Sequence, residues 1–364
     1  MSLWNRFTAL INKDRHELAA PTLDPAHVDR KPPPTEAIAD EHYFRLTLVQ
    51  MFLRKERKFL RDFYPAVHSL VQCQFAGRVV EVPNVADASR LLADQDAQGH
   101  VVARNFTLVP LMPFKGGEVK VIAGLFSVPG QDMLKDFLVA MSGFAELLAV
   151  PQLSTALSIA TPLASGVQTL FAGQGGMHLG FHDTFVGAGG AGNVLTQAHT
   201  AVIRAPAGAV DTGRLYVAGD RLCTGTGLGP GQHQPFETHD FMLLRLEVRP
   251  ERDDWRQLNA IAEPFHEAVD ALGEGQAEQA ETHFRRAIVA AIKAPELTKV
   301  DRRRVVDLLN TDFKEAKTDL GFSNLVGAEK GYDLQKRMST GAMSFDQARA
   351  LGEPTLDEVF HAID

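Results

Sequence analysis

The sequence predicts an α+β chain in which an antiparallel β-sandwich-like domain with an inserted helical hairpin is followed by an α-helical domain. Three observations carry this. Runs rich in Val, Leu, Phe and Thr follow one another from His42 to Val248 with turn residues between them. Between Leu147 and Ile203 the chain carries one formal charge, Asp183, although 23% of the whole sequence is charged, and a stretch so depleted asks for burial. Beyond Arg249 the texture becomes charged and helical.

The chain of 364 residues has room for about two domains at roughly 150 residues each. Its 37 basic and 45 acidic side chains leave a net charge of -8, which weakens the case for a dedicated nucleic-acid binder, so no nucleic acid is expected as a partner. Two cysteines, Cys73 and Cys223, stand far apart without CxxC spacing. Neither a disulfide framework nor a zinc site is implied, and a reducing cytoplasm fits best. No cofactor and no metal is expected. The first residues lack an apolar run followed by a small-residue cleavage site, so they do not read as a secretory signal.

Along the chain, Leu3, Trp4, Phe7, Leu10 and Ile11 fall at helical spacing and predict an amphipathic helix over residues 1–19. Residues 20–40 hold Pro21, Pro25 and the triplet Pro32 to Pro34, a composition that predicts an extended linker. The helix then reads as a tethered element whose Trp4, Phe7 and Ile11 dock on the domain itself, on a partner or on a membrane surface. Residues 41–248 supply the strands, with Gly77, Pro83, Gly99 and Gly116-Gly117 as punctuation. Short strands with turns between them and no long helix favour antiparallel pairing. An insertion at about 131–172 interrupts them. Its first half spaces Met133, Phe137, Met141 and Phe144 as a helix packed on the sheet, and its second is helical in texture but broken near Pro162.

Residues 257–320 read as three helices, the third opened by Thr298 with Asp301 three positions on, the spacing of a capping box. Phe265, Ala268, Leu272, Gly275, Ala280, Phe284, Ala287, Ile288 and Pro295 follow the small, aromatic and glycine pattern of a tetratricopeptide (TPR) hairpin. The stretch of about residues 262–295 resembles one such repeat, and no second copy in register is visible. The resemblance implies protein or peptide binding. Residues 321–364 form a partly helical tail.

Among motifs, GAGGAG places Gly187, Gly189 and Gly192 in GxGxxG order after a strand-like run, but too few residues precede the next strand for a crossover helix, so it reads as a hairpin loop. His178, His182 and Asp183 are the candidate acid-base or metal group. On a strand the two histidines share a face yet stand about 13 Å apart at ~3.3 Å per residue, too far to hold one ion, and Asp183 points the other way. DQDAQG, from Asp94, opens like a calcium loop but lacks the glutamate at its end. Arg54, Lys55, Arg57 and Lys58, with Arg61, form a basic cluster suited to phosphates, lipid headgroups or an acidic partner, or merely a solvated turn or helix edge. No GxSxG, SxxK, HExxH or P-loop is present. The expectation is a non-catalytic scaffold or adaptor that joins proteins in a cytoplasmic assembly. The alternatives are a membrane-active protein using the charge-poor segment 147–203 and a hydrolase with an unfamiliar site.

Overall fold

The structure is a computed structural model that describes residues 4, 18–30, 33–53, 63–85, 101–129, 177–206 and 208–326. Phe7, Ile11, the basic cluster Arg54 to Arg61, the DQDAQG turn, the helical insertion at 131–172 and the end of the tail lie outside the described residues. The chain is α+β and divides into two compact units, Met1–Arg252 and Asp253–Asp364. The division falls inside the charged stretch RPERDDWRQL.

The first unit is built from antiparallel sheets. One has five strands, β1 (Leu18–Ala19), β9 (Ala198–Arg204), β13 (Phe241–Arg249), β2 (Tyr43–Leu53) and β5 (Val101–Pro113), paired in that order. A second five-stranded sheet runs β4 (Arg78–Val85), β3 (Phe63–Phe75), β6 (Val119–Pro129), β7 (Met177–Val186) and β8 (Asn193–Val194), in which only the short β7–β8 pair is parallel. A third comprises β10 (Leu215–Ala218), β11 (Arg221–Gly225) and β12 (His233–Pro235).

Two apolar clusters explain why β2 and β13 read as nearly continuous apolar runs. On one face of the first sheet Phe44, Leu46, Leu48, Met242, Leu244 and Leu246 join Val71, Cys73, Val121, Ala123 and Leu125 of the second sheet in one core. On the other face Val49, Phe52, Ala201, Ile203, Phe241 and Leu243 join Leu215, Val217 and Leu222 of the third sheet, with Leu23, Val28 and Phe236. A strand covered on both sides loses the alternation of a half-exposed one. Opposite the register shift between Leu243 and Leu244, Val49 has no partner in β13, which marks a bulge, and the next residue, Gln50, accepts a hydrogen bond from the Leu222 amide at 2.8 Å. Part of the described half of the charge-poor segment lies in these cores, where Leu179, Leu195, Ala201, Val202 and Ile203 are fully buried, while residues 188–193 are exposed. Among the described residues no helix is long and apolar enough to cross a membrane.

The segment expected as a helix end and a linker behaves otherwise. Leu18 and Ala19 are a strand paired with Arg204 and Ile203, and the chain beyond them is strapped to the domain. The Leu23 amide donates to His199 O at 2.8 Å, Val28 bridges Val217, and the Ala37 amide donates to Leu195 O at 2.8 Å. Leu23 and Val28 are buried and hold the strap by its side chains as well. Proline stiffens such a segment without freeing it: Asp24 caps a short 3-10 turn, Pro25–His27, through the Ala26 amide at 2.7 Å.

The second unit holds three helices among the described residues, α1 (Asn259–Gly273), α2 (Ala277–Lys293) and α3 (Lys299–Val326). Gly275, at φ 75°, closes α1 with the Gln276 amide bonded to Ala271 O and the Gly275 amide to Leu272 O, a Schellman motif. Buried Ala268, Ala280, Ala287 and Ala291 leave little side chain between helices, so α1 and α2 approach closely. Phe284 stacks on Phe313 of α3 with ring centroids 4.0 Å apart. Thr298 opens α3, its Oγ1 accepting from the Asp301 amide at 3.2 Å.

Candidate functional site

The residues singled out on β7 are placed separately. His178 falls in the register shift between Leu125 and Phe126 of β6, where it has no partner in the ladder, so the alternation that would put it on one face with His182 is interrupted. Its Nε2 lies 2.6 Å from Asp240 Oδ2, while Arg204 Nη1 donates to His178 O at 2.9 Å and lies 3.4 Å from Nδ1. A ring protonated at Nε2 satisfies both neighbours. The imidazole is then clamped by a carboxylate on one nitrogen and a guanidinium on the other, an arrangement that joins β7 to the end of β9 and the approach to β13.

His182 is exposed and meets Trp4 edge-to-face at 5.5 Å. Trp4 therefore packs on its own chain. Asp183 accepts from the Thr184 amide and from Asn193 Nδ2, each at 2.8 Å, both on Oδ1. It lines a pocket of about 200 Å³ with Phe181 and Phe185, its neighbours at two-residue spacing on β7. Among the described residues no group of three or more His, Cys, Asp or Glu side chains is arranged to hold a metal ion.

The GAGGAG loop has a packing explanation. A Cβ on Gly187 would stand 2.7 Å from Phe114 Cε1, while Gly189 and Gly192 have φ of 79° and 138°. The Ala188 amide is spent on Ala37 O at 2.9 Å, and the loop leads into β8 rather than into a helix. Neither cysteine is an activated thiol. Burial pushes Cys73 up to about 12 and also raises Cys223.

Sequence reasoning missed a charged group on the face of the first sheet toward the third. Arg45 Nε donates to Glu247 Oε2 at 2.6 Å, Arg245 Nε lies 3.1 Å from Glu247 Oε1, and Arg245 Nη1 lies 3.4 Å from Asp220 Oδ1. Asp29, from the strap, accepts from the Gly219 amide at 2.7 Å. His199 is buried within this group, and burial followed by the charge of Arg245 lowers its pKa to about 4. Arg45, His199 and Glu247 are far apart in sequence and meet because β2, β13 and β9 are neighbours, while Asp29 and Asp220 come from the strap and from the turn between β10 and β11. With its ions mutually paired, the group is suited to holding strap and sheet together.

In the second unit a groove of about 570 Å³ runs between α1 and α2, lined by Ala260, Glu263, Pro264, Arg285, Val289 and Ala290 among others. Val289 is 48% exposed and Ile292, one turn on along α2, 53% exposed. No protein-family model matches the sequence, and comparison with curated proteins and with solved structures likewise finds no match.

Proposed function

We propose that the chain is a cytoplasmic, non-catalytic adaptor: a β-sandwich-like domain joined to a TPR-like helical hairpin, residues 262–295, that docks a protein partner. The observation that carries this is exposed Val289, which lines the groove with Pro264 and Ala290, followed one turn on along α2 by exposed Ile292. The opposite side of α2 already buries Ala280, Ala287 and Ala291, so these two side chains serve no core. Aliphatic anchors beside a groove between two helices suit an amphipathic helix laid into it, with Arg285 and Glu263 at the rim to orient its polar side. The sandwich reading is supported by the single apolar core to which both five-stranded sheets contribute. The adaptor reading is also supported by the chemistry elsewhere: the cysteines are buried, and His178 is clamped between two charged groups.

A photo-crosslinking amino acid placed at Val289 in cells tests the proposal, with Val79 on β4, which is more exposed still, as control. A discrete crosslinked partner at Val289 and none at Val79 is expected. The identified partner, purified, should bind Val289→Asp/Ile292→Asp at least about tenfold more weakly than the unaltered chain, since such anchors dominate interfaces. Equal crosslinking at both positions, or unchanged affinity of the double variant, would overturn the reading.

A further inference from the structure

The pocket beside Asp183 combines three features that no packing role requires together. Phe181 and Phe185 flank the carboxylate on the same face of β7, and both are partly buried against the core rather than sealed in it. Leu244 and Leu246 of β13 line it from the facing sheet. Thr22 of the strap, Thr200 of β9 and Thr196 also line it, and the Thr22 and Thr200 hydroxyls meet each other at 3.5 Å, a long O–H···O bond.

Asp183 is the only formally charged residue among the described residues lining the pocket. Its described hydrogen bonds come from an amide side chain and a backbone N–H, neither of which carries a charge, and both end on Oδ1. Asp183 is half-buried, and a cation meeting its carboxylate there gains more than it would in open water. Hydroxyl oxygens accept further N–H bonds, and the faces of Phe181 and Phe185 attract positive charge. Among the described residues no Lys or Arg lines the pocket. The volume of about 200 Å³ suits a small guest and is below that of a site for a drug-sized ligand.

We infer that this pocket binds a small primary alkylammonium ion, its ammonium group on Asp183 and the threonine hydroxyls, its alkyl chain along Leu244, Leu246 and the two phenylalanines. The site is independent of the helical groove and stands or falls apart from it.

The test titrates the full chain with n-hexylammonium, followed by calorimetry and by backbone amide shifts. Saturable binding is expected, with the largest shifts at Asp183, Thr184, Asn193 and Thr200. Affinity should exceed that of 1-hexanol and of hexanoate by at least about tenfold, because only the cation meets the carboxylate. Asp183→Asn should remove at least about tenfold for n-hexylammonium and leave 1-hexanol unaffected. Thr200→Val, nearly isosteric, should weaken n-hexylammonium by about three- to tenfold, and it tests the site should Asp183→Asn fail to fold. Equal affinity for the amine and the alcohol would reduce the pocket to an apolar void and overturn the inference. Binding unchanged in either folded variant, shifts confined to other regions, or no saturation by about 10 mM ligand would do the same.

Discussion

His199 and Arg245 are register partners on the adjacent strands β9 and β13, an imidazole buried directly across from a guanidinium. Burial and this positive neighbour both disfavour the protonated ring, outweighing Asp220, Asp29 and Glu247, and they lower its pKa from 6.5 to about 4. Below pH 6.5 the unfolded chain takes up a proton that the folded chain refuses. The contribution of neutral His199 to stability is therefore whole above pH 6.5 and is lost as pH falls toward 4.

The expected outcome is a stability that declines between pH 6.5 and 4 by up to about 3 kcal/mol on account of this one residue. Urea unfolding of the full chain at several pH values measures it. His199→Asn, which cannot titrate, should flatten the slope across that window even though it lowers stability at pH 7. An unchanged slope would show that His199 is not the group responsible.

The strap gives a second outcome. Val28 is 3% exposed and bridges Val217, whereas Ile38, further along the same proline-containing segment, is 43% exposed. Val28→Ala should cost about 2 kcal/mol, the usual scale for a truncated core side chain, and Ile38→Ala less than about 0.5 kcal/mol. Thermal unfolding of the two variants decides this. Equal small effects would return residues 20–40 to the role of a free linker.

What the sequence made legible follows from locality. Apolar, β-branched runs such as Tyr43–Leu53 and Phe241–Arg249 declare strands because neighbouring residues share the same burial. The helix turn at Gly275 is readable because a left-handed cap is a one-residue requirement. The strap was hidden because Leu23 and Val28 are isolated apolar residues among prolines and charges, and nothing nearby shows that Ile203 and Val217 await them. The same holds for His178 and Asp240, 62 positions apart, and for Arg45 and Glu247, 202 apart. Asp183 stood out as a lone charge. Its setting between two phenylalanines on one face is also in the sequence, at two-residue spacing, but the facing sheet that closes the pocket is not.

Gly187 offers a third outcome, which separates packing from ligand chemistry in the glycine-rich loop. Gly187→Ala would place a methyl 2.7 Å from a ring carbon of Phe114, itself 1% exposed and unable to swing into solvent, so a loss of about 1–3 kcal/mol is expected. Gly189 has open space but a φ of 79°, and Gly189→Ala should cost only about 1 kcal/mol. Phe114→Leu should relieve part of the Gly187→Ala penalty. A double-mutant cycle showing strict additivity would mean that the two residues do not meet.

The helical unit closes the set. Among the described residues its apolar cluster draws only on residues from Trp255 to Ala316, with Phe284 stacked on Phe313 and edge-to-face with Phe265, and small alanines at the helix contacts. A core complete within that span should sustain folding alone, so residues 253–326 expressed by themselves should be helical and unfold cooperatively in urea. Thr298→Ala in that fragment removes the acceptor of the Asp301 amide at the start of α3 and should cost about 1 kcal/mol. Thr298→Ser, which keeps the oxygen, should recover most of it. A fragment that is disordered, or a Thr298→Ser variant no better than Thr298→Ala, would show respectively that this core is not self-sufficient or that the threonine acts through its methyl group instead of its hydroxyl.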